Sequence, residues 1–69
     1  MKYKIFFNDD YPMESKTLII KEADNYAIDN NFLTIYKTEN LNSLDGTLQY
    51  ETNIFSVHSN YITSIKSIK

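Results

Sequence analysis

The chain has 69 residues, a net charge of −2 and a pI near 5.1. It contains neither cysteine nor arginine, so all seven of its bases are lysines. We therefore expect a single small domain, residues 1–69, without disulfides, thiolate zinc sites or thiol redox chemistry. The acidity and the missing guanidinium groups also argue against binding to duplex nucleic acid.

The composition also bears on where the protein acts. The lack of cysteine fits a reducing compartment, and we expect the protein to be cytoplasmic. No run approaches the roughly 20 apolar residues of a membrane span, so we expect no membrane partner. The start, MKYKIFFNDD, has too short an apolar run for a secretion signal.

The first elements in chain order are two short strands joined by an acidic loop. Residues 2–7 alternate, with Tyr3, Ile5 and Phe7 on one side, which predicts a strand with one buried face. The segment 8–15, NDDYPMES, breaks this strand, because proline cannot donate to a sheet ladder. Residues 17–22, TLIIKE, predict a second strand that leads into a hairpin.

The segment NYAIDNNFLTIY, residues 25–36, predicts that hairpin. Asn30-Asn31 fits a two-residue type I′ turn, since asparagine tolerates positive φ. Counting outward places the apolar residues of both arms on one face and an opposite-charge pair at the far end. The predicted pairs are Asp29 with Phe32, Ile28 with Leu33, Ala27 with Thr34, Tyr26 with Ile35, and Asp24 with Lys37.

The second half of the chain begins with its longest irregular segment. Residues 38–46 predict a loop pinned by Leu41 and Leu44 and closed by a turn at Asp45-Gly46. Residues 47–52 predict a strand with Leu48 and Tyr50 pointing inward. Asn53 interrupts it, residues 54–57 resume it, and residues 58–60 form a turn.

The tail, residues 61–69, has isoleucine at every third position, which suits a helix or a bulged strand. Its Thr, Ser and Ile content favours a strand. Lys66 and Lys69 would then protect a sheet edge from pairing with other chains.

These elements predict an all-β fold, a five- or six-stranded antiparallel meander. A single sheet with one apolar face must curl into a small barrel, be covered by a short helix, or pair with a second copy as a homodimer. Four aromatic residues are expected opposite the main apolar face, which suggests barrel closure or a partner. They are Phe6, Phe32, Tyr36 and Phe55.

No residue pattern indicates catalysis, a metal or a cofactor. His58 is the only histidine, so we interpret it as a partly exposed turn residue. Gly46 is the only glycine, which excludes phosphate-binding glycine loops. The cluster Asp9, Asp10 and Glu14 does not match a calcium loop and is either solvated or a contact for a basic protein surface, with Tyr11 as its aromatic anchor.

The segments TLIIKEADNYAIDNNFLTIYK and NIFSVHSNYITSIKSI, spanning residues 17–68, resemble small uncharacterised β proteins of bacteria and phages. Some acidic proteins of that kind inhibit host defence nucleases, as anti-CRISPR proteins do. The resemblance implies a non-catalytic inhibitor of a host protein and implies no catalytic residue.

We therefore predict a non-catalytic protein-binding module that contacts a basic surface of a host protein. One alternative is a single-strand nucleic-acid binder that uses tyrosines and the lysines at positions 2, 4, 66 and 69. Another is a self-associating accessory subunit of a larger assembly. The predicted binding residues are Asp9, Asp10, Tyr11 and Glu14 in the first loop, and Asp29, Asn30, Asn31 and Phe32 at the hairpin tip.

Overall fold

The computed structural model describes residues 1–68, and in this range strands are the main regular structure and no α-helix occurs. The predicted all-β class and the six strands are therefore confirmed. A single 3₁₀ turn, Ser59–Tyr61, connects the last two strands. The strands are β1 (Lys2–Phe7), β2 (Thr17–Ile20), β3 (Asn25–Asp29), β4 (Phe32–Ser43), β5 (Gly46–His58) and β6 (Ile62–Ile68).

The strands form two antiparallel sheets of three strands each, and they do not form a closed barrel. Sheet A has the order β2-β1-β6 and sheet B the order β3-β4-β5. The prediction of one continuous meander is wrong, because β6 returns to β1 and β2 does not pair with β3. The chain passes from sheet A to sheet B at Ala23, which is buried. The Ala23 N–H donates to the Met1 carbonyl at 2.9 Å.

The hydrophobic core lies between the two sheets. The predicted inward face of β1 is confirmed, since its three apolar side chains are buried, and β4 supplies the opposing layer. Partly buried residues of β2, β5 and β6 close the sides of the core. The buried residues are Tyr3, Ile5, Phe7, Ala23, Leu33 and Ile35.

The predicted register of the β3–β4 hairpin is confirmed from Asp29 opposite Phe32 to Tyr26 opposite Ile35. The turn type is wrong, because neither asparagine has a positive φ, as type I′ requires. The predicted pair between Asp24 and Lys37 is also wrong. Lys37 instead lies 3.3 Å from Glu22, while an Asp24 carboxylate oxygen accepts the Thr38 N–H at 2.6 Å.

The predicted loop over residues 38–46 is wrong. Strands β4 and β5 remain paired up to Ser43 opposite Gly46, with a two-residue turn at Leu44-Asp45. Gly46 has φ 134°, a conformation that suits glycine. We call the part of this hairpin beyond β3, residues 37–52, the ribbon. Every residue from Asn40 to Ile54 is exposed, so the prediction that Leu48 and Tyr50 point inward is wrong as well.

A bulge lies between the ribbon and the rest of β5. The pairing shifts between Ile35 opposite Phe55 and Tyr36 opposite Asn53, which leaves Ile54 as the extra residue. The bulge turns Phe55 toward the core, so its predicted place on the opposite face is wrong. Phe6, Phe32 and Tyr36 do alternate with core residues and point away from the core.

The tail is a strand, as predicted, and β6 forms one edge of sheet A. Lys66 is exposed on this edge, which agrees with its predicted protective position. Lys69 lies outside the described residues.

Candidate functional site

The first loop, residues 8–16, folds onto the 3₁₀ turn through Asn8. Its side-chain amide donates to the Asn60 carbonyl at 2.6 Å, and its backbone N–H donates to the Tyr61 carbonyl at 2.9 Å. The Asn8 side-chain oxygen also accepts the Asp10 N–H at 3.0 Å. Lys16 closes the loop by donating to the carbonyls of Tyr11 and Met13. The acidic residues therefore lie on a loop whose conformation is held by hydrogen bonds of Asn8 and Lys16.

The tip of the β3–β4 hairpin reaches the same 3₁₀ turn from the other side. The Ser59 N–H donates to the Asn31 carbonyl at 2.8 Å. Within the tip, the Asp29 carboxylate accepts the Asn30 N–H at 2.7 Å. Both predicted segments thus converge at one end of the protein, with residues 59–61 between them.

A row of aromatic side chains crosses this end of the protein. The rings of Tyr11 and Tyr61 lie 5.6 Å apart, those of Tyr61 and His58 lie 6.2 Å apart, and those of His58 and Phe32 lie 5.3 Å apart. Tyr11 is also stacked on Phe7 at 3.8 Å, so the core fixes one end of the row. Phe32, at the other end, is 50% exposed and is the most accessible apolar ring of the row.

His58 has a structural function here that its position in the sequence did not reveal. Its Nδ1 atom accepts the Asn60 N–H at 3.2 Å and caps the 3₁₀ turn. The interpretation of His58 as a turn residue agrees with this geometry. An open depression of about 300 Å³ lies beside the row, lined by Asp10, His58, Asn60 and Tyr61.

The carboxylates at this end are exposed and have no cationic partner in residues 1–68. The one ion pair of that range, between Lys37 and Glu22, lies elsewhere on the fold. Asp10 lines the depression, whereas Glu14 contributes to neither the depression nor the aromatic row. We call the assembled site the acidic–aromatic surface. It consists of Asp9, Asp10, Tyr11, Asp29, Asn30, Asn31, Phe32, His58, Asn60 and Tyr61.

The side chains of this surface can bind a cation. Across the described range, no three histidine, aspartate or glutamate side chains lie close enough together to hold a metal ion. Carboxylates bind ammonium and guanidinium groups, and aromatic faces attract the same cations within about 6 Å. The surface therefore has the two features that a cationic side chain of another molecule would contact.

The sequence predicted the first loop and the hairpin tip as binding segments, and it predicted a turn at residues 58–60 without assigning that turn to the site. Asn8 and Asn60 are 52 positions apart, so no local pattern indicates that they touch. The signal that was present is composition, since His58 and Asn60 lie in the predicted turn and Tyr61 follows it directly.

Comparison with models of protein families, with curated proteins and with solved structures gave no match. Residues 1–68 include no helix with the length and apolar character needed to cross a membrane.

Proposed function

We propose that this protein is a non-catalytic binding module whose acidic–aromatic surface contacts a basic surface of another protein. The observation that carries this proposal is the convergence of two acidic segments on one row of aromatic rings. Asp9, Asp10 and Asp29 are all exposed there without an ion-pair partner in the described residues. Free carboxylates around accessible rings complement lysine and arginine side chains.

The two kinds of residue would contribute differently to such a complex. Exposed carboxylates attract a basic partner over a distance and mainly raise the rate of association. Aromatic residues near the centre of an interface give much of the binding energy, because they lose most of their contact with water. Phe32 is the best placed for this purpose, while the half-buried ring of Tyr11 supports the row from the core side.

We further propose that the partner is a nucleic-acid-binding defence protein of a host cell and that this protein inhibits it, as a phage-encoded inhibitor would. Carboxylates present the same negative charge as phosphates, so an acidic surface can occupy a basic nucleic-acid groove. We base this class also on the resemblance that we proposed for residues 17–68, to small β proteins of bacteria and phages. Such an inhibitor acts in the cytoplasm, which a chain without cysteine permits.

A tagged pull-down from cell lysate, with and without nuclease, tests the proposal. Asp9→Asn with Asp10→Asn should release a protein partner that survives nuclease treatment. Glu39→Gln with Glu51→Gln is the matched control, because it changes the net charge equally on the ribbon and should retain that partner. Equal retention by both variants, or the lack of any nuclease-resistant partner, would reject the acidic–aromatic surface as the binding site.

A second candidate function rests on the outer face of sheet A. The Lys4 and Lys66 ammonium groups lie 5.1 and 5.6 Å from the centre of the Phe6 ring, and Lys2 shares their face. Lysines around an aromatic ring on a sheet are typical of surfaces that bind single-stranded nucleic acid. A single ring with two lysines over it is a small platform, so we rank this function second. Retention that disappears with nuclease would favour it.

A further inference from the structure

The two faces of the ribbon differ in chemistry, and the apolar face is not covered by any described residue. Strand alternation and the register put Leu41 opposite Leu48 and Glu39 opposite Tyr50 on the face that continues from the core side of sheet B. The other face is polar throughout, and Thr47 there donates to the Asn42 side chain at 3.0 Å. Leu41 and Leu48 are 57% and 62% exposed, and Leu44 at the turn is fully exposed.

A two-stranded ribbon of this kind is only marginally stable alone in water. The core side of sheet B is covered by sheet A near Leu33 and Ile35, and from Asn40 to Ile54 every residue is exposed. The apolar stripe on the ribbon therefore lacks the second layer that the rest of the sheet has. A ribbon that exposes Leu41, Leu48 and Tyr50 on one face, beside the charged Lys37 and Glu39, fits an interaction surface.

We propose that the second layer is the ribbon of another copy of this chain, packed face to face and antiparallel about a two-fold axis at the Leu41–Leu48 pair. Counting along the register from this axis gives the contacts. The two leucines of one copy meet the same two leucines of the other. Two residues along each strand toward the core, Glu39 meets Ser43 of the second copy and Tyr50 meets Gly46 of the second copy.

The contacts produced by this register are complementary in size. Tyr50 would lie over Gly46 of the second copy, a large side chain over a residue that has none. The space beside the Gly46 Cα is open, since no atom outside its chain neighbours lies within 4 Å of where a side chain would begin. Glu39 would face the small, polar Ser43, so the copies do not bring their Glu39 carboxylates together.

The contacts are also complementary in charge. Four residues from Leu41 toward the core, Lys37 would face the turn of the second copy, where Asp45 is exposed. The two-fold axis makes this contact twice. A parallel arrangement is less favourable, because it would place β4 over β5 of the second copy, set Lys37 over Thr52 and lose the contact between Lys37 and Asp45. Charge and shape thus select a second copy in antiparallel orientation as the occupant.

Pairing through the ribbons is independent of the proposed function. The acidic–aromatic surface lies at the Phe32 and His58 end of the β4–β5 hairpin, and the ribbon turn lies at the other end of a protein about 50 Å long. Pairing through the ribbons would leave the acidic–aromatic surfaces of both copies open. A ribbon two strands wide gives a small interface, so we expect a dimer whose population rises with concentration.

Sedimentation velocity of the full chain over a wide concentration range tests this pairing. Leu48→Glu should weaken dimerisation at least about tenfold, because it places a carboxylate in an apolar contact in both copies. Gln49→Glu is the matched control, since it adds the same charge to the polar face of the same strand and should leave dimerisation nearly unchanged. Circular dichroism checks that both variants keep the β fold.

A charge exchange then tests the orientation. Lys37→Glu and Asp45→Lys should each weaken the dimer, and the two changes together should restore it. A chain that stays monomeric at every concentration would overturn the proposal. Equal weakening of the dimer by Leu48→Glu and Gln49→Glu would overturn the ribbon contact. A charge exchange that does not restore the dimer would overturn its antiparallel orientation.

Discussion

The β4–β5 hairpin has one half inside the sandwich and one half outside it, and the same alternation of side chains has opposite results in the two halves. Ile35 and Leu41 are six residues apart on the same face of β4. Ile35 is nevertheless fully buried, whereas Leu41 is 57% exposed. The difference comes from sheet A, which covers only the first half. Burial of a strand face is therefore set by the layer opposite it, and a strand pattern by itself does not fix it.

The largest difference in free energy of unfolding should come from shortening one side chain on this face in each half of the hairpin. Ile35→Ala should lower the free energy of unfolding by about 2–5 kcal/mol, because it leaves a cavity between the sheets. Leu41→Ala should change it by no more than about 0.5 kcal/mol in the monomer, since an exposed side chain leaves no cavity. Urea unfolding at low protein concentration measures both. Equal losses would mean that the ribbon is packed within one chain.

The next effect concerns the border between the two halves, where the Asp24 carboxylate binds the backbone of Thr38, the second residue of the ribbon. Asp24→Ala should lower the free energy of unfolding by about 1 kcal/mol, because the Thr38 N–H loses its carboxylate acceptor at 2.6 Å. Asp24→Asn keeps an acceptor oxygen and should have a smaller effect. If both variants unfold like the unaltered protein, solvent replaces this hydrogen bond without loss.

The parts of the fold that could be predicted are those with local signals. Tyr3, Ile5 and Phe7 alternate with less buried residues, and the tail has strand composition, so both strands were predicted correctly. The hairpin register followed from one turn and the need to keep Leu33 and Ile35 on a shared face. The ribbon was missed because TENLNSLDG contains turn-forming residues and because an exposed strand has no buried face to impose alternation.

The candidate site was predictable only as separate pieces. Acidic residues next to turn signals indicated the first loop and the hairpin tip, but their meeting depends on β6 returning to β1. That return places Asn60 and Tyr61 beside Asn8, a contact between distant parts of the chain. The bulge at Ile54 was equally hidden, because it is defined by the partner strand β4.

The smallest effect on stability should come from the ion pair at the same border. Lys37 and Glu22 lie 3.3 Å apart with side chains 40% and 79% exposed, so water and salt screen them strongly. Glu22→Gln should change the free energy of unfolding by less than about 0.5 kcal/mol at low salt, and by nothing measurable in about 1 M salt. Urea unfolding at both salt concentrations measures this, with Glu51→Gln as a control that has no ion pair. A loss that persists in high salt would contradict the prediction.

Glu22→Gln also separates the stability of the sandwich, measured by urea unfolding, from the dimerisation of the ribbon, measured by sedimentation velocity. Lys37 has a single ammonium group, and Glu22 of its own chain competes for it with Asp45 of a second copy. Glu22→Gln should therefore leave the sandwich as stable as before and tighten the ribbon dimer in sedimentation velocity. Glu51→Gln changes the net charge equally and should tighten the dimer less. If the two variants dimerise alike, Lys37 does not reach the second copy, and only the leucine and tyrosine contacts can hold the ribbons together.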